Sequence, residues 1–269
     1  MKSNKSLRGK VAVVTGADGG IGTEFCRALA RRGADLVMVS IDGDGVTRRA
    51  EEITRTFGVR TWPMRLDLTD PDAGALLMSF IDARQIDPYI LINNAGIFSF
   101  APVLETPEKK LNTFVDLHVR AVVDLCRLFG QRMSAKGRGY ILNMSSMSCW
   151  MPMPGLAMYA STKAFLRVFS RSLHYELRES GVKVMVACPG GIATDLFGLS
   201  PKLTRLALRL GAIARPDTFA EKAVRRMLKG RAQYVNGLTN RLAILFVGSL
   251  PRRARMTVKH QMLDKGIRR

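Results

Sequence analysis

Cysteine is scarce in this chain of 269 residues: Cys26, Cys126, Cys149 and Cys188 are scattered, with no C-x-x-C spacing. That pattern suggests neither a disulfide framework nor a zinc site. His118, His174 and His260 are the three histidines and stand far apart in sequence, so no metal is expected. Long apolar runs are missing as well. LAILFVGSL at 242–250, the longest near the end, has nine residues, about half of what a membrane span requires. The start, MKSNKSLRGK, is polar and basic and does not read as a secretory leader. Repeats and low-complexity linkers are also lacking. The expectation is a cytoplasmic protein, at most peripheral to the inner face of a membrane.

Acidic charge is the remaining shortage. Lys and Arg number 42 against 22 Asp and Glu, a net charge of +20. From Pro201 onward the balance is 17 against 3, and before it 25 against 19. The excess therefore belongs to the C-terminal quarter and needs a local cause. Apolar residues make up 47%, which at this length supports a substantial core.

Short apolar runs alternate with longer amphipathic stretches. VAVVT (11–15), DLVMVS (35–40), RTWPMRL (60–66), YILIN (89–93), GYILNMS (139–145) and VKVMVAC (182–188) read as buried strands. Helical patterns such as TEFCRALARRG and GVTRRAEEITRTFG fall between them, each closed by a glycine. This alternation predicts one α/β domain over 1–237, a doubly wound parallel sheet with helices on both faces. Residues 238–269 form a basic amphipathic extension.

In such a sheet, ligands gather at the carboxyl ends of the strands. TGADGGIG (15–22) follows the first strand and opens the first helix. Gly16, Gly20 and Gly22 permit a tight turn and close approach by a pyrophosphate, with Asp18 and Ile21 in the same turn. NNAG (93–96), NMSS (143–146) and CPGGIAT (188–194) end later strands. In GLAMYASTKAF, Tyr159 and Lys163 are four residues apart and share one helical face. A lysine cation beside a phenol favours the phenolate, making the phenol a better acid or base than its reference pKa of about 10 implies.

TGADGGIG, Asp67-Leu68, NNAG, NMSS, YASTK and PGGIAT, in this order and spacing, resemble the short-chain dehydrogenase/reductase family over roughly residues 8 to 236. The resemblance implies a Rossmann-type fold and an NAD(P)-dependent oxidoreductase. Ser146 would hold the substrate oxygen by a hydrogen bond. Tyr159 would pass the proton, and Lys163 would lower its pKa while bonding the nicotinamide ribose. Asp67 would meet the adenine with Leu68 beside it; Asn94, Ala95 and Gly96 would line the cofactor. Pro189 and Gly190 would turn the chain there, and Ile192 and Thr194 would fix the carboxamide. Members commonly pair through long helices, here 107–133 and 156–180, so a dimer or tetramer is expected.

Two positions depart from the family. Its usual asparagine in the helix after NNAG, which braces a proton-relay water chain, aligns with His118. A neutral imidazole also accepts and donates, so the relay can survive and His118 is a catalytic-site candidate; a histidine merely satisfied inside a helix is the alternative. NAD users commonly close the second strand with an aspartate. Here that position is Ser40, while Ile41 and Asp18 occupy places where NADP users carry cations. Asp42 is within reach of a ribose, and Arg48 or Arg49 of a phosphate; the reading leans to NADP.

Substrate choice is assigned to MSCWMPMPG (147–155) and to 195–213. Met147, Trp150, Met151 and Met153 suit an apolar ligand of irregular shape, or fill a core. A ketone or secondary alcohol on a steroid-, lipid- or acyl-like body is expected. In the extension, Leu238, Leu242, Leu245 and Phe246 recur at helical spacing before PRRARMTVK. That reads as contact with an anionic membrane surface or as a packing helix with a solvated basic face. The basic stretch has no aromatics to stack bases and no recognition motif, which argues against nucleic acid. The alternatives kept beside the enzyme are a cofactor-binding scaffold without catalysis and a basic nucleic-acid-binding protein.

Overall fold

Alternate residues of a strand point to opposite faces, and here both faces are apolar. In β1 (Val11–Thr15), Ala12 and Val14 enter one buried core and Val11 and Val13 the other. The computed structural model describes residues 6–192, 213–258 and 260. Its main sheet adds β2 (Asp35–Ser40), β3 (Thr61–Arg65), β4 (Pro88–Asn93), β5 (Gly139–Met144), β6 (Val182–Cys188) and β9 (Gln233–Val235). All pairs are parallel, in the order β3-β2-β1-β4-β5-β6-β9. A two-stranded bridge, β7 (Gly191–Ile192) with β8 (Ile213–Ala214), lies apart from it.

One core is covered by α1 (Gly20–Ala30), α2 (Gly43–Phe57) and α7 (Pro216–Leu228), through Phe25, Ile53 and Phe219 among others. The other is covered by α3 (Ala73–Ala83), α5 (Ala121–Ala135) and α6 (Ala157–Glu176), through Leu77, Phe129 and Leu166. The expected doubly wound sheet is therefore what the chain forms. The six expected strands appear at their places, the ends differing by at most one residue. Pro63 lies in β3, an edge strand, where a missing donor is tolerated. Gly58 closes α2 with φ of 66°, a left-handed cap that suits glycine.

α4 (Glu108–Val115) runs into α5 through one π-turn, Asp116–Arg120. Beyond β9 lie α8 (Leu238–Gly248) and α9 (Arg252–Val258). Among the described residues no helix is long and apolar enough to cross a membrane. Thr194 and most of the 195–213 stretch fall outside the described residues.

Candidate active site

The strand order reverses between β1 and β4, and the loops leaving these strands are bonded together. Thr15 Oγ1 accepts the Asn94 and Ala95 amides, both at 3.0 Å. Asn94 Nδ2 donates to the carbonyls of Thr15 and Gly16 at 3.0 and 3.1 Å. A Cβ on Gly22 would stand 1.9 Å from the Gly16 carbonyl oxygen, so this turn closes only with glycine there. α1 starts at Gly20, with Gly19 at its N-cap, no side-chain cap and no acidic residue in its first turn. Its first amides thus have no side-chain acceptor, which is the donor set that fits a pyrophosphate.

At the end of β2, Ser40 is buried and its Oγ accepts the Asp42 amide at 3.2 Å. Asp42 caps α2, its Oδ1 accepting from the Gly45 amide at 2.9 Å. Asp18 reaches the same corner, close to Gly45. Arg49 pairs with Glu52 at 2.9 Å. Asp67 folds onto Thr69, accepting its amide and hydroxyl at 2.9 and 2.7 Å, with Leu68 buried beside it. Arg65, which sequence reasoning passed over, stands opposite Ser40 in the β2–β3 register. A Cβ on Gly43 would lie 3.2 Å from Arg65 Cδ, and the exposed guanidinium has no ion pair among the described residues. The signal was weak: one more arginine in a basic chain.

Ser146 follows β5 with extended backbone, and its Oγ accepts the Ser148 amide at 3.2 Å. Burial raises the pKa of the Tyr159 phenol, and the neighbouring Ser146 hydroxyl pulls it the other way without offsetting burial. Phe98 meets the Tyr159 ring edge-on at 5.0 Å. Lys163 Nζ is 5.7 Å from the centroid of that ring and donates to the Met144 carbonyl at 3.0 Å. Burial pushes its pKa down to about 8, so at pH 7 it is still mostly ammonium. Ser145 Oγ donates to the Lys163 carbonyl at 2.6 Å, tying α6 to the end of β5. Deeper in, Asn93 donates to Asn143 at 2.8 Å and Asn143 to Ser170 at 2.9 Å, fixing α6 from below. Ser146, Tyr159 and Lys163 are thereby brought together beside the NNAG loop.

His118 sits in the π-turn, fully buried. Its Nε2 accepts the Ile97 amide at 3.0 Å, and Nδ1 meets Thr162 Oγ1 at 3.0 Å. Thr162 donates to the Tyr159 carbonyl at 3.0 Å, so it accepts from His118 and the proton belongs on Nδ1. A Cβ on Gly96 would come within 2.9 Å of His118 Nε2. The imidazole thus clamps the NNAG loop to α6, with both nitrogens engaged. Burial, reinforced by the Lys163 charge, lowers its pKa from 6.5 to about 2.

This has a sign. Below pH 6.5 the unfolded chain binds a proton here that the folded chain refuses, so stability present above pH 6.5 is lost as pH falls toward 2. The slope contribution is at most about 1.4 kcal/mol per pH unit. Urea midpoints measured from pH 7.5 to 5 should fall less steeply in His118→Asn than in the parent. Equal slopes would refute the neutral clamp.

The loop after β6 is held from the C-terminal side. Met147 N donates to the Pro189 carbonyl at 2.8 Å, and Gly190 N donates to Asn236 Oδ1 at 2.7 Å. Asn240 donates to the Asn236 carbonyl at 2.7 Å, and a Cβ on Gly190 would collide with Asn240 at 2.3 Å. Ile192 is buried in the first core. Asn236 and Asn240 escaped sequence reasoning, since an N-x-x-x-N spacing alone says nothing. A recess of about 480 Å³ lined by Arg8, Arg31, Gly33 and Asp35 opens at the opposite, amino end of β1 and β2. Among the described residues no cluster of three His, Cys, Asp or Glu could hold a metal.

A doubly wound sheet with a glycine turn at its switch point defines the dinucleotide-binding class. Residues 10–202 match the short chain dehydrogenase family, and the chain belongs to it. It is 38% identical over 184 residues to the Probable oxidoreductase EphD of Mycobacterium tuberculosis. That stretch is 68% of this chain but 31% of EphD, so the chain spans about a third of that protein's length. Identity to the 17-beta-hydroxysteroid dehydrogenase type 3 of Mus musculus is 30% over 249 residues, 91% of this chain and 77% of that one. L-sorbose reductase from Gluconobacter frateurii, solved with NADPH and L-sorbose, superposes with a TM-score of 0.78 at 27% identity. The likeness covers 87% of this chain and 97% of that one.

Proposed function

We propose that this protein is an NAD(P)-dependent oxidoreductase interconverting a secondary alcohol and a ketone on a hydrophobic body. The observation that carries the reading is the Tyr159–Ser146 hydroxyl pair with buried Lys163 behind it, beside the glycine turn. A bound nicotinamide supplies the hydride acceptor or donor. Gly16, Gly20, Ile21, Gly22, Asp67, Leu68, Asn94, Ala95, Gly96, Pro189, Gly190 and Ile192 would hold it. In the reduction direction Tyr159 gives its proton to the carbonyl oxygen, and in oxidation it takes the proton back. Ser146 donates a hydrogen bond to the same oxygen, and the Lys163 charge favours the phenolate that results. His118 acts as a positioning residue, holding α6 against NNAG.

Half-buried Met147, Trp150 and Met153, with Phe98 on the Tyr159 ring, give the substrate side an apolar wall. The steroid named for the mouse relative agrees with that wall; the sugar of the sorbose reductase does not. Turnover should therefore favour bulky apolar ketones and secondary alcohols over polyols in a panel run with both cofactors. Preference for polyols would reject the hydrophobic assignment.

For the cofactor, Arg65 and the absence of a strand-end carboxylate support NADP, because Asp42 is engaged in capping. Ser40→Asp should shift kcat/KM toward NAD, and Arg65→Gln should weaken NADPH binding with NADH unaffected. Fluorescence titrations with both cofactors check this; parallel changes would refute it. Exposed Phe165, Val168 and Tyr175 on α6 support pairing of two copies through the long helices. The exposed apolar face of α8, Leu238, Leu242, Leu245 and Phe246, supports contact with an anionic bilayer.

A further inference from the structure

Cys149 and Cys188 share one apolar cluster beside the proposed catalytic hydroxyls. Cys188 ends β6 and is fully buried; Cys149 is half-buried in the single turn 147–150 that follows Ser146. Both pack into a small apolar cluster with Val186, Val235, Trp150 and Ile244, separate from the two main cores. The backbone holds the turn over the end of β6: Ser145 N donates to the Ala187 carbonyl and Met147 N to the Pro189 carbonyl, both at 2.8 Å, on either side of Cys188. Arg167 on α6 lies over Trp150, 4.8 Å from the ring centroid, and its charge acts on both sulfurs. Its buried Nε has no hydrogen-bond partner among the described residues.

The two thiols are unequal. Cys149 is held below the ordinary thiol range, first by its interaction with Cys188, while Cys188 is pushed well above it by the same interaction and by burial. One sulfur is thus disposed to be a thiolate and its neighbour to keep a proton. Cys26 and Cys126 lie fully buried in the main cores, with burial raising Cys126 to about 12. They have no such neighbour.

We infer that Cys149 and Cys188 are a modification site, a dithiol that a peroxide closes to a disulfide and a thiol reductant reopens. The Cys149 thiolate attacks one peroxide oxygen; an S–O bond forms, the O–O bond breaks, and hydroxide leaves to take a proton. Cys188 sulfur then attacks Cys149 sulfur; the S–S bond forms, the S–O bond breaks, and water leaves with the Cys188 proton. Two thiols lose two electrons and the peroxide becomes two waters. An S–S length of about 2 Å draws Cys149 toward β6. The turn 147–150 moves with it, and its cap is Ser146. Closure therefore displaces Ser146 from Tyr159, a consequence that rests on the function proposed above; the disulfide itself does not.

The test treats the full chain with hydrogen peroxide and maps disulfides by mass spectrometry of an unreduced digest. The expected result is a 149–188 link removed by dithiothreitol. Turnover should fall with it, on the order of 100-fold, the scale of an ångström misplacement, and return on reduction. Cys188→Ala, shown folded by circular dichroism, should form no link and should pass irreversibly to Cys149 sulfinic acid. Absence of the 149–188 link after peroxide overturns the proposal. So does peroxide inhibition that dithiothreitol still reverses in Cys188→Ala. A link that forms without altering turnover sustains the dithiol site and faults the functional reading of Ser146.

Discussion

Tyr159→Phe is expected to slow turnover at least ~100-fold, the usual scale of general acid–base catalysis, with cofactor affinity essentially unchanged. Phenylalanine keeps the ring that Phe98 meets edge-on and that His118 approaches at 6.1 Å, so packing around α6 is preserved. What disappears is the hydroxyl beside Ser146, the group proposed to pass the proton. The glycine turn and NNAG are untouched, and so are the bonds joining them. Stopped-flow turnover and a fluorescence titration of the cofactor separate the two effects. Near-normal turnover in the variant would sink the mechanism, while a large loss of cofactor affinity would show that the phenol serves binding instead.

The second large effect concerns the extension. α8 turns one face inward: Asn240 is buried beside Gly190, and Ile244 packs against the cluster of Val186, Cys188 and Val235. Its other face is bare, with Leu238, Leu242, Leu245 and Phe246 between 58% and 73% exposed. Arg241, Arg252 and Arg253 flank it, all exposed. A bare apolar face among cations suits an anionic bilayer: each cation adds about 1 kcal/mol near the surface, and each large apolar side chain that inserts adds about 1.5–3 kcal/mol. The full chain should sediment with phosphatidylserine vesicles and less with phosphatidylcholine.

Leu242→Ser with Phe246→Ser should abolish most of that binding, because about 3 kcal/mol or more is removed, over 100-fold in affinity. These changes leave the charge intact, so any retention on DNA, driven by cations alone, should stay the same. Point variants are preferable to deleting 238–269, which would strip Asn240 from the Gly190 loop and Ile244 from the cluster around Cys188. A full chain that ignores phosphatidylserine at low salt would defeat the membrane reading. Loss of DNA retention in the serine variant would show that the apolar face serves nucleic acid.

How far each feature was legible in the sequence follows from the range of the forces that create it. The six long strands were legible because a strand covered on both faces must be apolar at nearly every residue, as in VAVVT and VKVMVAC. The glycine turn was legible for a similar local reason: Gly22 has no room for a Cβ against the Gly16 carbonyl, so the chain must write glycine there. The helical face shared by Tyr159 and Lys163 follows from four-residue spacing alone. β9 was not legible, since Gln233–Val235 is three residues long and is a strand only because β6 offers it an open edge.

Tertiary structure decided the remainder, because those features depend on groups far apart along the chain. Arg65 faces Ser40 only through the register of two parallel strands. His118 accepts the Ile97 amide and meets Thr162 only because α4, α5 and α6 close on NNAG, and that burial makes a solvent-titrating imidazole into a neutral clamp. Lys163 rests on the Met144 carbonyl, not on the phenol four residues before it, an arrangement that helical spacing does not specify. Cys149 and Cys188, 39 positions apart, read as scattered thiols until β6 and the turn after Ser146 place them in one apolar cluster. Composition and periodicity record what each residue's own surroundings demand; which distant surroundings meet is settled by packing the two cores against one sheet.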